Sequence, residues 1–151
     1  MGKCQAKVVS IRRYAVKGLG ADRLRSVDLC RGRGLPNDRR WGLLFRRSGQ
    51  PVVSPCEWLH KENFVCCFSQ TRLLAQLVSR FDDARNVLQL KRRGERAPHM
   101  EVRLDDSAAG ERLAAWFSAE CGRPCDLVDA GALHQLGNTR LACRAAGGAL
   151  Q

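Results

Sequence analysis

RGRGLPNDRRWGLLF, residues 31–45, is a glycine- and arginine-rich loop that runs into an apolar strand. Gly34, Pro36 and Asn37 supply turn chemistry, because glycine and asparagine tolerate left-handed backbone and proline presets φ. Asp38 and Arg39 then sit at the mouth of a strand over 40–46, whose apolar and aromatic character marks it as central. A second stretch, RYAVKGLG at 13–20, ends the preceding strand in a similar way and offers Lys17. Two cations at glycine-containing strand mouths can hold an anion against a rigid sheet, with backbone amides joining the side chains. The fold is then read as whatever brings these two mouths together.

Working outward, KVVSIRRY at 7–14 mixes β-branched and polar residues as a strand does, and RLRSVDL at 23–29 alternates again with a break near Ser26 that suggests a bulge. Residues 48–51 form a turn and 52–53 begin a short edge strand. The stretch 56–63 has no clear pattern, and 64–68 is an apolar run of strand length. Leu73, Leu74, Leu77, Val78 and Phe81 recur at helical spacing, which predicts a helix over 70–81. NVLQLK (86–91) and HMEVRL (99–104) alternate about the turn at 93–95 and read as a hairpin with a long loop. Ser107 is placed to cap a helix over 108–120 with Leu113, Trp116 and Phe117 on one face. Gly122 and Pro124 stop that helix, and CDLV (125–128) makes the last strand. The expected class is α+β, a mostly antiparallel, barrel-like sheet with two short helices.

At 151 residues the chain fits one domain with a substantial core. Its net charge of +11, from 26 basic and 15 acidic residues, draws anions without identifying them. The arginines come in pairs rather than in one run, which disfavours a nucleic-acid-binding tail. No stretch has the ~20 apolar residues a bilayer span needs. The opening has no secretory core, and Ala6 stands where an acylation motif wants Ser or Thr. A cytoplasmic protein is expected. The eight cysteines show no paired C-x-x-C knuckles, so neither a disulfide framework nor structural zinc is expected. His60, His99 and His134 are too dispersed to mark a metal site, and no nucleophile elbow, Walker or H-E-x-x-H motif is present. The segment Gly32-Arg33-Gly34 lacks the third glycine of a dinucleotide fingerprint and leads into a strand instead of a helix. His134 and Arg140 in HQLGNTR offer a further anion-binding loop, and Cys143 a possible exposed thiol; for both, a solvated surface is the plainer reading. On composition alone, the plainer reading also makes Lys17 a solvated turn lysine and pairs Arg39 with Asp38.

KVVSIRRYAVKGLGADRLRSVDLCRGRGLPNDRRWGLL, residues 7–44, resembles the N-terminal β-barrel segment of MOSC-domain proteins, the family named for the molybdenum cofactor sulfurase C-terminal domain. Tyr14, Val16, Lys17, Gly34, Leu35, Asp38, Arg39 and Trp41 match its pattern, whereas Ala15 replaces a proline and Asn37 a second glycine. The likeness continues through Lys61, Phe64, Leu74, Phe81-Asp82-Asp83 and HQLGNTR, and covers about 7–140. The resemblance implies a MOSC N-terminal β-barrel-like domain over 5–130, then a loop and poorly ordered tail over 131–151 where the MOSC core would begin. It implies a part in holding molybdenum cofactor (molybdopterin), an anionic pterin, or in carrying sulfur to it, with Lys17 and Arg39 in the cofactor's anionic surroundings. The family's molybdenum-ligating cysteine lies in the core beyond, and Cys143 does not match it, so no catalytic residue or metal ligand is carried over. The expected function is that of an N-terminal module of a molybdenum-cofactor-binding or sulfur-carrier protein, not catalytic alone, whose partners are the missing core or a redox protein. The alternatives are a fragment of a complete molybdenum-cofactor-dependent oxidoreductase or sulfurtransferase, and a basic nucleic-acid-binding protein.

Overall fold

A computed structural model describes residues 6–47 and 59–131. In chain order its elements are β1 (Ile11–Arg13), β2 (Val16–Lys17), β3 (Asp22–Leu24), β4 (Trp41–Phe45), a 3₁₀ turn (Lys61–Asn63), α1 (Thr71–Gln76), β5 (Leu77–Asp82), β6 (Val87–Arg92), β7 (Met100–Arg103), α2 (Ser107–Cys121) and β8 (Cys125–Asp129). The class is α+β, with two α-helices and predominantly antiparallel sheets.

The apolar run of the opening stretch becomes β4, buried at all five positions. It is the middle strand of its sheet. On one side it pairs in parallel with β2, Val16 opposite Trp41 and Lys17 opposite Gly42. On the other it pairs antiparallel with β8, from Trp41 opposite Asp129 to Phe45 opposite Cys125. A strand covered on both faces reads as a continuous apolar run, which is why WGLLF shows no alternation. Trp41, Leu43 and Phe45 enter the main core with Leu88 and Leu90 of β6, Val102 of β7, and Leu113 and Phe117 of α2. Leu44 faces the other way, onto Phe64 and Ala130. Burying side chains of this size contributes about 1.5–3 kcal/mol each.

The remaining strands form an antiparallel meander, β5-β6-β7, and the pair β1-β3. Among the described residues hydrogen-bonded pairing stops at three separate sheets and does not close into a barrel. No described helix is long and apolar enough to cross a membrane.

The hairpin expected over 86–104 is present as β6 and β7, and the last strand as β8. The helix expected over 70–81 ends at Gln76, where Leu77 turns extended (ψ 144°) and β5 begins. Leu77 and Phe81 are four residues apart, a spacing that satisfies both a helical and a strand period, so the leucines could not tell the two apart. Ser79 settles it: Leu77, Ser79 and Phe81 are all buried while Arg80 is exposed. The long strands expected at 7–14 and 23–29 shrink to three residues each. Val8, Val9 and Leu29 lie exposed beyond them, since neither strand has more than one partner to extend along. The run 64–68 contributes only a single bridge, Phe64 to Leu44, before turning. The cap of α2 is Asp106, whose carboxylate accepts from the Ala108 and Ala109 N–H groups (2.9 and 3.3 Å), while Ser107 is the first helical residue. Gly122 ends the helix in the left-handed region at φ 63°. The turn and edge strand expected at 48–53, the loop with His134 and Arg140, Cys143 and the tail lie outside the described residues.

Candidate functional site

The two strand mouths stand side by side. Parallel pairing of β2 with β4 is extended upstream by the Trp41 N–H, which donates to the Ala15 carbonyl (3.2 Å), and the Arg39 N–H, which donates to the Tyr14 carbonyl (2.6 Å). The buried Asp38 carboxylate locks the junction. One oxygen accepts from the Tyr14 N–H (2.8 Å) and the other from the Arg39 guanidinium (2.6 Å). Asn37 and Arg39 adopt positive φ, 57° and 52°, so the loop enters β4 through two left-handed residues. Side chains other than glycine adopt that region at a cost, asparagine with the least, and the Arg39–Tyr14 bond holds it in place. Asn37 also donates to Asp83 (3.0 Å) and accepts from Arg40 (3.3 Å).

Lys17, the last residue of β2, is half-buried with its ammonium 4.0 Å from the Phe64 ring centroid. The ammonium makes no ion pair or hydrogen bond with any described residue. Burial pushes its pKa below the ordinary 10.5, the Cys66 thiol works in the opposite direction, and Arg39 lowers it further. The two cations singled out by sequence are therefore brought within electrostatic reach of each other. Arg39 is paired with Asp38, as composition favours, and its guanidinium lies 5.4 Å from the Tyr14 ring centroid with nearly half the side chain exposed. Lys17 differs from the plainer reading, being partly desolvated and without an acid among the described residues. A partly desolvated ammonium that also feels the charge of a guanidinium favours an anion.

Sequence reasoning missed the segment that forms the floor of this place. Gly18, at φ 90°, passes so close to residues 65–66 that a Cβ there would meet the Val65 carbonyl oxygen at 2.2 Å. That approach brings Phe64 under Lys17 and the buried Cys66 beside it. Cys66 is packed as a small apolar residue, as its run NFVCCF suggests, with its thiol 3.4 Å from the Lys61 carbonyl. The sequence signal was Gly18 itself, since a glycine after a strand end permits both the positive φ and the close approach.

Behind the site lies a buried charge cluster. Arg13 is 2 % exposed and donates to both Asp83 oxygens (2.6 Å each) and to Asp22 (3.2 Å), over the Phe81 ring. Asp22 also accepts from the Phe81 N–H (2.9 Å). Burial raises the Asp22 pKa above its ordinary value, with Phe81 and Arg13 opposing and Asp83 adding to the rise. Of the histidines among the described residues, His60 lies 3.5 Å from Glu62 and His99 packs on Trp116. The thiols of the last helix turn and β8 are poor nucleophiles. Burial, Cys125 and Glu120 push Cys121 up to about 11, and burial raises Cys125. Among the described residues no three His, Cys, Asp or Glu side chains cluster as metal ligands would. The arrangement offers anion binding between Lys17 and Arg39, with no metal-ligand set among the described residues and with the neighbouring Cys66 thiol buried. No protein-family model, curated protein or solved structure matches the chain.

Proposed function

We propose that this chain is the N-terminal module of a MOSC-type protein and that Lys17 and Arg39 bind the anionic, phosphate-bearing part of molybdenum cofactor. The observation that carries the reading is Lys17: half-buried, without an acid partner among the described residues, and within the electrostatic reach of the Arg39 guanidinium. Asn37 adds support. It stands where the family pattern has glycine, and its φ of 57° is a backbone that glycine adopts freely. In this reading the sheet β2-β4-β8 and the meander, joined by one core, are the wall of a barrel-like module, which a MOSC core or a redox partner would complete. The donor set fits the anionic part of the pterin alone, so no metal-centred step is assigned to these residues. The cofactor, where bound, supplies redox and sulfur-transfer chemistry; this chain orients its anionic end.

The test is molybdopterin binding followed by pterin fluorescence. Each charge-assisted contact is worth about 1.5–3 kcal/mol, so losing one lowers affinity about 10- to 150-fold. Lys17→Ala is expected to cost more than Arg39→Ala, because Asp38 already neutralises much of Arg39. The double variant is expected to lose detectable binding. Unchanged affinity in the double variant would remove the site.

A further inference from the structure

We infer that a second anion site lies on a different part of the molecule, in the groove between β3 and the β5-β6 hairpin, and that it takes a small ligand carrying two phosphoryl groups. The groove encloses about 640 Å³, and neither Lys17 nor Arg39 lines it. Arg23 of β3, Arg80 of β5, Lys91 of β6 and Arg96 of the following loop line it. None of these four cations makes a hydrogen bond or ion pair with a described residue. Several arginines in or beside the sheets are instead held by carboxylates: Arg13 by Asp22 and Asp83, Arg40 by Asp129, Arg46 by Asp126 and Arg92 by Glu120. Among the described residues the one acid in the groove wall, Asp22, is buried and already committed to Arg13 and the Phe81 N–H.

Register brings the cations together. Val78 lies opposite Lys91. Arg80 is therefore the diagonal neighbour of Lys91 on the same face, about 7–8 Å away along the backbone, a gap two long side chains can close on one phosphoryl group. Across the groove Arg23 lies directly opposite Arg12 in the β1-β3 pair. Like charges placed so repel, and an anion held in the groove by Arg23 relieves that. Two phosphoryl groups carry about 3 to 4 negative charges, which matches the four cations that have no partner among the described residues. Guanidinium forks suit their oxygens.

The occupant is a small molecule rather than a nucleic-acid strand. The volume is that of a metabolite site. Among the described residues the only aromatic in the lining, Phe81, is buried under Arg13 and offers no exposed ring on which a base could stack.

The test is calorimetric titration of the full chain with inorganic pyrophosphate at fixed salt. Saturation at one ligand per chain is expected. Arg80→Ser with Lys91→Ser is expected to weaken it about tenfold or more. Arg72→Ser with Arg112→Ser, which removes the same charge from exposed helix faces, should change it by less than about twofold. All three proteins should melt alike, since every substituted side chain lies at the surface or half-exposed. Equal losses in the two double variants, or the absence of saturation, would overturn the inference in favour of diffuse charge. Loss confined to Lys17→Ala with Arg39→Ala would overturn it in favour of the strand-mouth site. A single-stranded oligonucleotide that binds more tightly than pyrophosphate, and is weakened by the groove variant alone, would overturn it in favour of nucleic acid. Citrate binding equal to that of pyrophosphate would overturn the phosphoryl assignment.

Discussion

Arg12 and Arg13 are neighbours of identical chemistry with opposite fates. Arg12 is exposed, while Arg13 is buried among two carboxylates and a ring. Strand parity explains it, because Arg13 shares a face with Ile11 and successive side chains alternate. That much was legible in KVVSIRRY. Its partners Asp22 and Asp83 were not, because nothing local ties position 13 to position 83. Arg13→Ala is expected to cost about 3–5 kcal/mol in denaturant unfolding, since it strands the buried Asp22 charge. Adding Asp22→Asn should recover part of that loss, and a double variant no more stable than Arg13→Ala would show that packing on Phe81, not charge, sets the cost. Lys17 and Arg39 were legible as cations at strand mouths, from glycines and strand ends alone. That Lys17 is partly desolvated was hidden, because the residues covering it lie more than forty positions downstream.

At the level of elements, β4 could be read directly, since an unbroken apolar run between turn signals has few alternatives to a covered strand. The segment 70–81 could not. Its leucines fit two periods, and the choice fell to β6, whose free edge offers β5 a full ladder of hydrogen bonds. The cap of α2 falls at Asp106, one residue before the expected Ser107, because Asp105, Asp106 and Ser107 are all competent caps and only geometry selects among them. The exit of β2 is the most demanding junction. Gly18→Ala forces a side chain into the Val65 carbonyl and into positive φ together. A loss of about 3 kcal/mol or more is expected by thermal or urea unfolding, with exposure of Cys66 to thiol reagents. A near-neutral effect would mean that residues 64–67 do not pack against β2.

For the whole molecule, two partly desolvated charges set opposite limits of one pH profile. Asp22 has a folded pKa raised above 3.8, so the folded state holds its proton more tightly and this group's contribution falls as pH rises through that window. Lys17 has a folded pKa lowered below 10.5, so the unfolded state binds more protons there and stability rises as pH climbs toward 10.5. Both groups weigh most heavily against the fold near neutrality. Lys17→Met is expected to raise the melting temperature at neutral pH, and that gain should shrink as pH approaches 10.5. A gain independent of pH would detach Lys17 from the profile. The central strand also has a consequence in time. β4 takes its second neighbour from β8, beyond the whole meander and α2. The meander has only local pairings and can form as it leaves the ribosome, whereas the sheet around β4 must wait for the last strand. Until residue 129 emerges, WGLLF is a bare apolar edge, the kind of segment a chaperone holds. The order of synthesis therefore makes the strand that centres the finished molecule one of the last to be covered.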